Sequence, residues 1–160
     1  MGRRFERISF KQFAKDIRDD KQLYDSYNLP LRTTKNAAGY DFESLIDFDL
    51  KPGENIKIPL GIKVYMEPDE VFFLLVRSSM GFKYNVRMCN QVGVIDADYV
   101  DNSENEGHMW IKIYNEGEKV FSVKKGDKIA QGIFIKYLKT DDDISGEERK
   151  GGFGSTNKEE

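Results

Sequence analysis

At 160 residues the chain is long enough to bury a core without staples and suits a single domain. Its 25 basic and 28 acidic side chains leave a net charge of −3, which excludes the basic footprint of a nucleic-acid binder, and one cysteine and one histidine exclude an intrachain disulfide and a histidine-rich metal site. No stretch approaches the roughly 20 apolar residues of a membrane span, and the start Met1-Gly2-Arg3-Arg4-Phe5 has no apolar signal core, so a cytoplasmic protein is expected, with any divalent metal held by oxygens as magnesium prefers.

Residues 5–29 are charged and loosely helical in pattern. Ser9 followed by Gln12 has the form of a capping box, and Phe10, Phe13 and Ile17 lie near one helical face, which predicts a short amphipathic helix ended by Pro30. From Leu31 to Lys139 the signals are β. Ile56-Lys57-Ile58 and Ile62-Lys63-Val64-Tyr65 alternate on either side of Pro59-Leu60-Gly61, and Val71 to Val76 is a continuous apolar run, as in a strand buried on both faces.

The run Asn90-Gln91-Val92-Gly93-Val94-Ile95 then delivers Asp96, Asp98 and Tyr99 to a turn. In an uninterrupted strand Asp96 and Tyr99 would point to opposite faces, so bringing both into one pocket requires a reversal near Ala97 and Asp98. A hairpin with a carboxylate and a ring at its mouth can hold a flat base and activate a water, the geometry of a nucleotide enzyme. The spacing Asp96, Asp98, Asp101 is not a calcium loop, because no glycine stands at the sixth position and no glutamate at the twelfth.

Further on, Trp110-Ile111-Lys112-Ile113-Tyr114 alternates and Asn115-Glu116-Gly117 ends it. Val120 to Val123 and Ile129 to Tyr137 flank Lys125-Gly126-Asp127-Lys128, a hairpin signal. Many short strands at regular spacing argue for a closed or sandwiched all-β fold. From Asp141 onward the chain is acidic and glycine-rich with almost no apolar side chains, so it is expected to be mobile when free. Its single ring, Phe153, with Ser155 and Thr156 and basic neighbours, suits a segment that closes over a ligand.

Taken together, five segments resemble, in order, the five motifs of the trimeric deoxyuridine triphosphatase (dUTPase) family. They are Ala37-Ala38-Gly39-Tyr40-Asp41-Phe42, Arg77-Ser78-Ser79-Met80-Gly81, the run from Gly93 to Tyr99, Gly126-Asp127-Lys128-Ile129-Ala130-Gln131, and Gly151-Gly152-Phe153-Gly154-Ser155-Thr156. The resemblance implies a distorted jelly-roll β-barrel over residues 30–139, preceded by an arm of unknown role (1–29) and followed by a mobile tail (140–160) that closes over the nucleotide. It implies a homotrimer with shared active sites and hydrolysis of dUTP to dUMP and pyrophosphate with Mg2+, which limits uracil incorporation into DNA and supplies dUMP.

By the same resemblance Asp96 is the general base that orients the attacking water, with Gln131 helping to hold it. An ordinary aspartate has a pKa near 3.9 and is a weak base, so positioning and the metal must supply most of the acceleration. Tyr99 would stack under the deoxyribose and exclude a 2′-hydroxyl, unless it is a core tyrosine. Asn90 and the backbone of Gly93 and Val94 would read the uracil edge, and Phe153 would cover it. Ser78 and Ser79 would contact the phosphates, with Ser78 donating to the α–β bridging oxygen. Arg77 is either a phosphate contact or a structural ion pair. Asp41 would hold magnesium through water, or else is a buried turn carboxylate. Gly154, Ser155 and Thr156 would cradle the terminal phosphates.

The sequence departs from the family pattern in places. Glu148 occupies the usual position of the tail arginine, which leaves Arg149 or Lys150 for the γ-phosphate. Asp101 replaces a glycine, Asn157 replaces the last tail glycine, and an apparent insertion, Asn102 to Glu106, is expected to lengthen a surface loop beside the site. The alternatives are a dCTP deaminase, which shares the fold and an Arg-Ser-Ser motif, and a regulatory protein of this fold that binds a protein partner. The presence of Asp96 and Tyr99 favours the triphosphatase.

Overall fold

Alternation along Trp110–Asn115 becomes a strand that buries Ile111 and Ile113 and exposes Lys112. This is the simplest case of the rule that builds the molecule, in which period-two segments turn one face inward. The computed structural model describes residues 2–146, 149, 151 and 152. In chain order the elements are β1 (Arg4–Arg7), α1 (Phe10–Asp16), α2 (Lys21–Ser26), β2 (Tyr40–Glu43), β3 (Phe48–Leu50), β4 (Asn55–Pro59), β5 (Ile62–Tyr65), β6 (Glu70–Leu75), α3 (Ser78–Tyr84), β7 (Val86–Met88), β8 (Gly93–Asp96), β9 (Trp110–Asn115), β10 (Phe121–Val123) and β11 (Lys128–Lys136).

The class is all-β, but the strands do not close into one barrel. Among the described residues they form four antiparallel sheets: β1–β5, β10–β3, β4–β9–β7 and β2–β11–β6–β8. The apolar run at 71–76 is the inner strand β6, paired on one edge with β11 and on the other with β8, with Phe72 and Leu74 fully buried.

Two predicted hairpins prove to be crossings between sheets. The turn at Lys125–Lys128 forms as its residues demand: Gly126 sits at φ 89°, Asp127 N–H donates to Lys124 O at 2.9 Å, and Lys124 N–H donates to Asp127 Oδ2. Yet β10 pairs with β3, while both edges of β11 are taken by β2 and β6. Likewise β8 pairs with β6, while the next strand, β9, pairs with β4 and β7 in another sheet. The reversal after Asp96 does form, with Tyr99 N–H donating to Asp96 O at 3.1 Å, but the chain continues into a loop and not into a returning strand.

The N-terminal segment contributes more than the one predicted helix. Ser9 caps α1 by accepting from Gln12 N–H. The reciprocal half of the capping box is supplied from a distance: Glu106 Oε2 accepts the Ser9 N–H at 2.8 Å, and Gln12 instead donates to Asp16. A second helix, α2, is capped by Asp20, and β1 pairs with β5 in register Phe5↔Val64. Ile8, Phe13, Leu23 and Tyr27 join the same core as Phe42, Leu60 and Ile62, with Phe13 stacked on Tyr27 at 5.8 Å. No helix among the described residues is long and apolar enough to cross a membrane.

Because Phe13 is fully buried within the common core, Phe13→Ala is expected to lower the unfolding free energy of the whole chain by about 3–5 kcal/mol. Urea denaturation followed by tryptophan fluorescence and by far-UV dichroism measures this. A loss confined to a small helical signal, with the main midpoint unmoved, would show the arm to be an independent unit.

Candidate functional site

Strand β8 places its side chains by alternation: Ile95 points into the core, while Val94 and Asp96 share the outer face. Gly93 is buried, and a Cβ there would stand 3.0 Å from the Leu74 Cβ, so a larger residue would press on β6 at this position. Asn90 is exposed on the turn before β8. Asp96 therefore ends the strand with its carboxylate about half exposed.

The guanidinium of Arg149 lies beside it. Nη2 is 2.7 Å from Asp96 Oδ2, Nε is 3.1 Å from Asp98 Oδ1, and the charged carbon stands 5.5 Å from the centre of the Tyr99 ring. One turn thus gathers Asp96, Asp98, Tyr99 and Arg149. Asp98 was given no role by the motifs; the signal for it was its place in the same turn as Asp96. Lys150, Phe153, Gly154, Ser155 and Thr156 lie outside the described residues.

A second group stands where β2, β11 and the end of β6 meet. Asp41 faces Gln131 across the β2–β11 ladder. Its Oδ1 is 3.0 Å from Arg77 Nε, and its Oδ2 is 2.9 Å from Lys128 Nζ and 2.7 Å from the Thr33 hydroxyl. Burial alone would raise the pKa of this carboxyl, but the Thr33 hydroxyl, Lys128 and Arg77 together hold it below the usual carboxylate range. Arg77 stands at the N-terminal cap of α3, and Ser78 and Ser79 are exposed in its first turn. Gln131 Nε2 donates to Val76 O at 3.2 Å. A Cβ on Gly39 would fall 2.5 Å from Gln131 Oε1, which ties the glycine of the first motif to the glutamine of the fourth.

These two groups do not meet within one chain. Asp96 pairs with Val71 at one end of β6 and Gln131 pairs with Leu75 near the other. At about 3.3 Å per residue the groups are roughly 13 Å apart along the strand, and Arg77 is about 20 Å away.

The apparent insertion is a surface loop that is also tied inward: Asp101, Ser103 and Glu104 are exposed, while Asn102 is buried. Asp101 adopts a left-handed φ of 58°, as the glycine it replaces could, and its carboxylate binds Lys63 and Tyr65. Asn102 is buried and donates to Tyr99 O, and Glu106 caps α1 as described above. Glu104 accepts the N–H of Gly152 at 2.6 Å. Tyr99 itself is 3% exposed; its hydroxyl donates to His108 O at 3.0 Å and accepts from Asn105 Nδ2 at 2.9 Å. Burial, the largest influence, pushes the phenol above its ordinary value.

His108 is wholly buried behind this ring. Its Nε2 accepts the Gly61 N–H at 2.9 Å, which leaves Nδ1–H to donate to Asp16 at 2.6 Å, so the imidazole is neutral. Neither His108 nor Asp16 was marked by sequence, since 92 positions separate them.

Comparison with known proteins agrees with the motifs. The family model described as dUTPase matches residues 25–157. The deoxyuridine 5'-triphosphate nucleotidohydrolase of Lactococcus lactis subsp. lactis (strain IL1403) is 43% identical over 131 residues, covering 81% of this chain and 87% of that protein. A crystal structure of dUTPase from Streptococcus mutans superposes with a TM-score of 0.69 at 33% identity, covering 88% of this chain and 99% of that one. A mutant dUTPase from phage phi11 of S. aureus, described as coordinating a structural Mg(II) ion, shares the fold with a TM-score of 0.67 at 20% identity, covering 92% and 98% of the two chains.

Burial, outweighing Asp16, holds the His108 pKa below its ordinary value of 6.5. As the pH falls below about 6.5 the unfolded chain takes up this proton first, so the stability owed to the neutral ring is full above that value and is lost toward the lower folded-state pKa. Urea midpoints of wild type and His108→Gln should differ most well above pH 6.5 and converge on acidification. A difference that widens on acidification would show that the fold holds the imidazolium.

Proposed function

The chain belongs to the dUTPase family, and from that premise we propose that it hydrolyses dUTP to dUMP and pyrophosphate by attack of water on the α-phosphorus. The observation that carries the reading is a half-exposed carboxylate, Asp96, joined through one hydrogen-bonded turn to the anchored ring of Tyr99. The carboxylate takes the proton of the attacking water as the new oxygen–phosphorus bond forms. The bond from the α-phosphorus to the bridging oxygen breaks, and pyrophosphate leaves.

The separation of the two groups along β6 supports sites shared between protomers, and the resemblance makes the assembly a homotrimer. One protomer supplies Asp96, Tyr99, Asn90, Gly93 and Val94. Another supplies Gln131 for the water and Arg77, Ser78 and Ser79 for the phosphates, with Ser78 donating to the oxygen of the leaving group. The tail residues Phe153, Gly154, Ser155 and Thr156 complete the reading by resemblance, over the base and the terminal phosphates. Arg149 or Lys150 would meet the γ-phosphate; for Arg149 this means leaving Asp96 and Asp98 for a stronger anion, which also frees the face of Tyr99 for the sugar.

Uracil is read by polarity. A site of fixed donors and acceptors at Asn90 and the β8 backbone leaves polar groups unpaired against cytosine, which costs several powers of ten. The resemblance gives Asp41 to magnesium only through water, and direct ligation does not fit it, because both carboxylate oxygens already face cations or a hydroxyl. Nor do the described residues contain a cluster of three acids, histidines or cysteines suited to a metal. A hard cation carried by the phosphate oxygens of the substrate fits the chain as it stands. The cytoplasm suits an exposed free Cys89.

Pyrophosphate release from dUTP, dTTP, dCTP and UTP tests the proposal. Turnover is expected with dUTP alone, and Asp96→Asn should lower kcat by about 10²–10⁴. Ammonia from dCTP would reveal a deaminase, while tight dUTP binding without turnover would point to a regulator acting on a protein partner.

A further inference from the structure

Tyr99 is held by a bracket that the reaction itself does not need. Its hydroxyl is gripped by Asn105 Nδ2 at 2.9 Å and by His108 O at 3.0 Å, and its main-chain carbonyl by Asn102 Nδ2 at 2.8 Å. The two asparagines interlock: Asn102 donates to Asn105 Oδ1 at 2.8 Å, and Asn102 Oδ1 accepts the N–H groups of Glu104 and Asn105. Asn105 Oδ1 also accepts the N–H of Gly107, whose φ of 81° closes the loop so tightly that a Cβ there would lie 2.6 Å from the Val100 Cα. Behind the bracket the His108 ring is wedged between Gly61 and Asp16 of α1, so the carbonyl that receives the phenol is itself braced by the N-terminal segment.

We propose that the 101–107 loop, through Asn105, is a positioning device that fixes the Tyr99 ring and sets the discrimination of deoxyribose from ribose. This rests on the dUTP reading of the site. The physical reason is rigidity. An apolar wall rejects an added hydroxyl by only about 10²-fold when it can yield. A ring that can tilt by a fraction of an ångström makes room for one oxygen. A phenol tied at its far end to two groups, on a backbone tied by a third, cannot retreat. Asn105 never touches the nucleotide; it acts through the ring.

The test is the ratio of kcat/KM for dUTP to kcat/KM for UTP in wild type, Asn105→Ala, Tyr99→Phe and the double variant. One hydrogen bond of about 1 kcal/mol corresponds to a fall in that ratio of about 5-fold for Asn105→Ala. Tyr99→Phe, which loses the bond to His108 O as well, should show a fall at least as large, and the double variant should fall no further than the larger single effect. Equal losses for both substrates, with the ratio unchanged, would make the loop structural only and overturn the proposal. So would effects that multiply in the double variant. Where Asn105→Ala fails to fold, Tyr99→Phe decides, since it keeps every bond within the loop. Absence of dUTP turnover in wild type overturns instead the reading on which the proposal stands.

Discussion

Strand β6 is hydrogen-bonded along both edges, to β8 through Val71↔Asp96 to Leu74↔Gly93 and to β11 through Glu70↔Lys136 to Leu75↔Gln131. That double pairing determines where each reactive side chain stands. A slip of one residue on either edge would turn Asp96 or Gln131 to the opposite face. The slip is resisted by packing: a Cβ on Gly132 would lie 2.1 Å from the Phe72 ring, and one on Gly93 would press on the Leu74 Cβ. Glycine and large apolar neighbours thus key the register, and the register aims the site.

From this frame the electrostatics divide in two. At one end Asp41 is neutralised by Arg77 and Lys128 on adjoining elements, a fixed arrangement built on strand, strand end and helix cap. At the other, Asp96 and Asp98 share one guanidinium from a distant part of the chain. The first group is architecture that keeps an arginine oriented. In the proposed reaction the second is an exchangeable contact, its carboxylates more than half exposed, that yields to a stronger anion.

Much of this was legible in the sequence, and the failures share one cause. The strand at 110–114 is readable because its period is local, and the turn at Lys125–Lys128 because Gly126 and Asp127 carry its chemistry. What the turn could not reveal is who pairs with whom: β11 is engaged on both edges, so β10 goes to β3. The strand Arg4–Arg7 hid for the same reason, being four residues of mostly charged sequence that read as a strand only beside β5. The motif residues were recognisable by type, but their separation along β6 is a product of register. The bracket around Tyr99 looked like an insertion because nothing local says that Asn102 and Asn105 fold inward. The pairing of His108 with Asp16 spans most of the chain.

The division of the reactive groups between the two ends of β6 has a genetic counterpart. With sites completed by neighbouring protomers as proposed, a lesion at Asp96 and a lesion at Gln131 spoil different contributions to each site. A cell carrying one copy of each allele would assemble mixed oligomers in which some sites draw Asp96 and Gln131 from intact donors. Two alleles damaged at the same end of the strand would have no such recourse, so the complementation pattern of inactive alleles would map the strand's two ends without any structure at all.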